Sequence, residues 1–115
     1  MRENYEMNKD RIYFYLNIMN ELLHLKIAEC VKAMKELERE MKDEKALPRH
    51  IDSSASYLSM ILTKVLELKR EYSYMLTICE VDRIDDVIQK SEDMVSKGRE
   101  MQYKAQELYE QLIKE

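Results

Sequence analysis

Apolar residues recur along this chain at alternating spacings of three and four, the pattern of helices that pack along a seam. The first run is Ile12, Leu16, Met19, Leu23, Ile27, Cys30, Met34, Leu37 and Met41, with one extra residue between Leu23 and Ile27. Tyr15, Ile18, Leu22 and Leu25 make a second stripe beside its first half. That half is therefore apolar over a wide arc and is expected to touch two neighbours, whereas beyond Ala33 the arc narrows to one stripe with charged flanks. A helix over about residues 9–46 is predicted, roughly 55 Å long at about 1.5 Å per residue. Residues 1–8 are polar and read as a frayed start, with Asn4 or Asn8 as its cap.

Pro48 interrupts the pattern. Proline has no N–H to give a helix interior and pushes the residue before it out of the helical region. Residues 48–54 (PRHIDSS) read as the loop, with Asp52, Ser53 or Ser54 capping a second helix over about 52–79. Its stripe is Leu58, Ile61, Val65, Leu68, Tyr72, Met75 and Cys79, widened by Leu62 and Leu76. The phase slips between Cys79 and Ile84, where Asp82 and Asp85 supply a cap and first-turn charge for a third helix over about 83–114.

In this last stretch the heptads separate by size. Val87, Met94, Met101 and Leu108 occupy one position, and Ile84, Ser91, Gly98, Ala105 and Leu112 the other. Small residues every seven let a second helix come close, and a mid-helix glycine costs about 1 kcal/mol relative to alanine unless a contact compensates. Whether that contact comes from this chain or another stays open. Two architectures fit. One is an all-α, antiparallel bundle of three long helices with coiled-coil character. The other is a single helix from Asp52 onward with a stutter, paired with partner chains. A single helix of over about 60 residues is rare in a small domain, which favours the bundle.

Composition supports helices. Of the 115 residues, 37% are charged and 45% belong to the hydrophobic class, with one Gly, one Pro and no Trp. The length fits a single domain over 1–115, and the eight tyrosines with the apolar fraction exclude a disordered chain. Net charge is −4 with both signs interspersed, and even the charge-dense Lys35–Lys45 stretch alternates, as Glu38 and Lys42 do. Nucleic-acid binding, which gathers Lys and Arg on one face, is not expected. The longest apolar run is only a few residues and Met1–Arg11 is charged, so neither a membrane span nor a secretory signal is expected. Cys30 and Cys79 form no CxxC pair and read as free thiols in a cytoplasmic or nuclear compartment.

Candidate chemistry is sparse. Glu21 and His24 stand at i and i+3 on one helix face, half of a di-iron bundle motif. His50 has Leu47 where the matching glutamate would stand, so no metal or cofactor is expected. No glycine-rich phosphate loop or nucleophile–base pair is present, and an enzyme is not expected. Six of the nine methionines, Met19, Met34, Met60, Met75, Met94 and Met101, are expected on the apolar stripes as core filler or as an adaptable groove.

Tyr103-Lys104-Ala105-Gln106-Glu107 resembles the Tyr-x-x-x-Asp/Glu signal of small secreted helical hairpins, but their Trp-x-Gly turn has no counterpart in a chain without Trp. Asp85–Gln111 resembles the C-terminal half of an R-type SNARE helix, with a gap needed in the heptads and no apolar anchor after Glu115. Neither resemblance transfers a residue role.

The expected function is that of a non-catalytic helical interaction or adaptor subunit whose partner is a protein, a second copy included. Tyr13, Phe14 and Tyr15 cannot all face one core and form the first candidate surface. Ser91, Gly98 and Ala105, with Met101 beside them, form the second. The alternative is a small helical chaperone, or secreted partner of an export system, holding a client helix in a methionine-rich groove.

Overall fold

The structure is a computed structural model that describes residues 2–79 and 86–114, with side chains described for 9–79 and 86–114. Among these residues it is built of three helices, α1 (Arg2–Lys42), α2 (Pro48–Ile78) and α3 (Asp86–Lys114), and no strand. The helices pack against one another in up-down-up order, and the Cα trace spans 70 × 17 × 16 Å. The all-α antiparallel bundle expected from the heptads is the architecture found. Gly98 of α3 lies against Leu62 of α2, and the α3 side chains of Glu92 and Gln102 reach Lys69 and Ala55. That pairing runs antiparallel, so the one-helix arrangement from Asp52 onward does not occur. The proposed cap at Asp82 and Asp85, and the turn or kink at 80–83, lie outside the described residues.

The helix limits differ from the sequence reading in three places. Helix α1 already begins at Arg2 rather than near residue 9. Its first turns are polar, but Arg, Glu, Met and Lys are strong helix formers and nothing there breaks a helix. It also ends at Lys42, short of 46, because the Asp43 carboxylate accepts the Lys45 N–H at 2.9 Å and the Asp43 carbonyl accepts the Ala46 N–H at 3.1 Å. An aspartate that bonds the backbone two residues on makes a turn compete with the helix.

The third difference is the loop itself. It is Asp43–Leu47, and Pro48 opens α2 instead of starting a loop. Leu47 is extended (φ −81°, ψ 147°), and its carbonyl accepts the His50 N–H at 2.9 Å. At the first helical position proline's missing N–H is one that would have no helical partner anyway, and its fixed φ is already helical. Asp52, Ser53 and Ser54 therefore lie inside α2, and its N-terminus has no side-chain cap.

The core divides into two clusters. Near the α1–α2 hairpin, Cys30, Ala33, Leu37, Ile51, Leu58, Ile61, Leu62, Val65, Val95 and Ala105 are buried together. Toward the opposite end, open where α1 starts but joined between α2 and α3 through residues 79–85, the buried set is Leu16, Met19, Leu23, Tyr72, Leu76 and Val87. Full burial of one such aliphatic side chain contributes about 1.5–3 kcal/mol. The alternating three-four spacing that defines each stripe is thus what brings these side chains inward.

Candidate functional site

The small-residue column of α3 faces inward. Ser91 and Ala105 are buried, Gly98 is buried between them, and a Cβ on Gly98 would stand 2.6 Å from Leu62 Cδ2 and 2.7 Å from Cδ1. The contact that compensates this glycine therefore comes from α2 of the same chain. Ser91 Oγ donates to the Val87 carbonyl at 2.7 Å, which lets a polar side chain sit in the apolar interior. Ser91, Gly98 and Ala105 are internal packing, with no surface of their own to offer.

Past Val87, which is fully buried, the large-residue column lies at the edge of the core. Met94, Met101 and Leu108 are half-buried, packed against the hairpin-end cluster. Met101 joins Met34 and Met41 in a shallow groove between α1 and α3, rimmed by Glu38, Lys97, Glu100 and Lys104. Met60 is not on a stripe: it is 57% exposed, because two residues beyond Leu58 is about 200° around the helix.

The aromatic triplet on α1 splits three ways. Tyr15 is half-buried, its hydroxyl donating to the Glu71 carboxylate of α2. That hydrogen bond, then burial, then the carboxylate's charge push its pKa above the ordinary tyrosine value. Tyr13 lies on the surface with Lys9 Nζ 5.9 Å from its ring centre. Phe14 points to solvent and is 68% exposed.

Phe14 is not isolated. Ile18, Leu22 and Leu25 follow it at helical spacing, exposed at 39%, 39% and 61%. Helical geometry at 100° per residue gathers these four within about 80° of arc, on the side of α1 opposite Leu16, Met19 and Leu23. The wide apolar arc of the sequence is thus two faces. One builds the core of this chain, and the other is left uncovered by it. The second stripe is legible in the sequence as an apolar flank. Its outward direction is not, because spacing fixes angles between residues but not where the neighbouring helices stand.

Reactive groups are few. Cys30 is fully buried, and burial, reinforced by Glu29 and opposed by Lys26, raises its thiol pKa to about 11. A thiol held protonated is a poor nucleophile. Cys79 is half-buried and also free. Glu21 and His24 are both exposed on α1, and among the described residues no group of three or more His, Cys, Asp or Glu side chains could hold a metal ion. No helix among the described residues is long and apolar enough to cross a membrane.

Comparison with protein-family models, with curated proteins and with solved structures finds no match.

Proposed function

We propose that the protein is a non-catalytic helical interaction subunit that docks onto a protein partner through the outer face of α1. The observation that carries this reading is the alignment of Phe14, Ile18, Leu22 and Leu25 on the side of α1 turned away from its own core. Single exposed apolar residues are ordinary, but a contiguous row of four large ones marks an interaction site. An aromatic ring with aliphatic neighbours at i+4, i+8 and i+11 is the pattern by which a helix anchors against a partner. The two free cysteines suit a reducing, cytoplasmic setting for such a complex.

The test is affinity capture from an extract of the source cells with the full chain and with a Phe14→Ser/Leu25→Ser variant. A specific partner retained by the first and lost by the second is the expected result. Capture of the same proteins by both variants would overturn the assignment of this face.

A second reading rests on a different observation, the groove of Met34, Met41 and Met101 between α1 and α3. Flexible thioethers with mixed charge on the rim suit a chaperone that holds varied client helices. Binding of a client that depends on Met101 and not on Phe14 would replace the first reading with this one.

A further inference from the structure

The charges at the ends of the α1 stripe match the opposite ends of the same stripe. Arg11 and Glu29 are eighteen residues apart, about five full turns at 3.6 residues per turn, so they project in the same direction. Arg11 precedes Phe14 and Glu29 follows Leu25, so the apolar row has a cation at one end and an anion at the other. Asp10 and Lys32 repeat the arrangement on one flank, again with opposite signs at opposite ends. The row itself is symmetric in size, with Phe14 and Leu25 outside and the less exposed Ile18 and Leu22 inside.

We infer that the occupant of this face is a second copy of the chain, its α1 laid antiparallel across the first with the two-fold axis over the outer face at the level of residue 20. This rests on the outer face of α1 being a docking surface and names what docks there. A two-fold axis perpendicular to an antiparallel helix pair places residue i opposite a residue close to 40 − i, and keeps each flank on its own side. Phe14 then meets Leu25 of the other copy, and Ile18 meets Leu22. Arg11 meets Glu29, a carboxylate that in its own chain holds Lys26 at 3.1 Å. Asp10 lies within reach of the long Lys32 side chain. A parallel arrangement would exchange the flanks, bringing the two Arg11 side chains into one layer beside Asp10 and the two Glu29 into another beside Lys32. The two Glu21 carboxylates oppose the pairing, since they approach each other beside the axis. The contact is one helix wide, so it falls below the size of a permanent interface and gives a dimer dissociating in the micromolar range.

Sedimentation equilibrium of the full chain, from low to high micromolar concentration, tests this. The wild type is expected to pass from monomer to dimer, and Phe14→Ser/Leu25→Ser to weaken the dimer about 100-fold with an unchanged circular dichroism spectrum. Arg11→Glu alone weakens it about tenfold, and adding Glu29→Arg to the same chain restores it. Glu21→Gln strengthens it a few-fold. A wild type that stays monomeric throughout overturns the inference, as does a dimer indifferent to Phe14→Ser/Leu25→Ser. Failure of Glu29→Arg to restore the Arg11→Glu dimer overturns the antiparallel register. A monomeric wild type that still captures another protein through Phe14 removes the second copy and leaves the docking face standing. Loss of both removes the face itself.

Discussion

The two ends of the bundle hold together by different means. At the hairpin end, the five-residue connection Asp43–Leu47 ties α1 to α2, and the interior is built from small residues, Cys30, Ala33, Gly98 and Ala105, set among larger ones. At the open end the buried side chains are mostly large, with Tyr72 the largest of the fully buried residues. There the helices are also joined by side chains: Tyr15 to Glu71, and Asn20 Nδ2 to the Tyr72 hydroxyl at 3.4 Å. Lys69 reaches Glu92 at 3.0 Å a little further along. That loop ties α1 to α2 only, whereas the close approach of Gly98 to Leu62 joins α3 to α2, so the spacing of this second pair rests on side-chain size rather than on the loop. At the other end residues 79–85 join α2 to α3, and it is α1 that large contacts and polar side chains alone hold in place.

This difference makes the open end the more vulnerable to truncation. Tyr72→Ala removes a fully buried ring and its hydroxyl contact, and is expected to lower stability by about 3–5 kcal/mol. Tyr72→Phe keeps the ring and gives up the Asn20 hydrogen bond, a loss of about 1 kcal/mol. Urea denaturation of both variants measures the gap. If the two lose the same amount, the hydroxyl rather than the ring dominates, and the contrast between the ends fails.

The hairpin end should be sensitive in the opposite sense, to added volume. Gly98→Leu drives a side chain into Leu62 and is expected to cost about 3 kcal/mol, lowering the melting temperature by of order 10 °C. Shrinking the neighbour in the same chain, Gly98→Leu/Leu62→Ala, returns the volume to the contact and should recover more than half of the loss. A double variant no more stable than Gly98→Leu alone would show that the helix spacing, not the Leu62 side chain, sets the limit. An unchanged melting temperature for Gly98→Leu would deny the close approach altogether.

These contrasts separate what periodicity in the sequence carries from what it leaves out. The inward stripes are legible because burial imposes a period, and Leu16, Leu23, Leu37, Leu58, Val65 and Tyr72 are all buried where the heptads place them. The small-residue column is legible as a close contact, but its partner is not, since nothing in Ser91, Gly98 or Ala105 specifies Leu62. The start of α2 misleads because proline breaks a helix interior yet opens a helix well, and only the neighbouring backbone distinguishes the two uses. The outer face of α1 is half legible: Ile18, Leu22 and Leu25 stand out as apolar, and Phe14 as unable to share a core with Tyr13 and Tyr15. Its direction follows only from the positions of α2 and α3.

Alkaline pH gives a smaller lever at the hairpin end. The buried Cys30 thiol titrates at about 11, against an ordinary value of 9.0. The folded state holds this proton more tightly than the unfolded chain does. The associated stability is therefore complete below about pH 9 and is lost as pH rises through 11. At pH 10.5 the difference amounts to about 2 kcal/mol. Thermal melts at pH 7.5 and 10.5 check it, with Cys30→Ala expected to lose less between the two values than the wild type. Equal losses would place the alkaline transition on other groups.

The smallest effects belong to the polar cross-links toward the open end. Lys69 and Glu92 join α2 to α3, but the glutamate is half exposed, so Lys69→Met should change stability by no more than about 1 kcal/mol, and less in high salt. Tyr15→Phe removes the bond to Glu71 between α1 and α2, again worth about 1 kcal/mol, but its ring remains to pack. Combining the two is informative because they tie different helix pairs. If the cross-links act independently, the double variant loses the sum of the single losses. A larger loss would mean that the two bonds jointly hold the open end at its spacing.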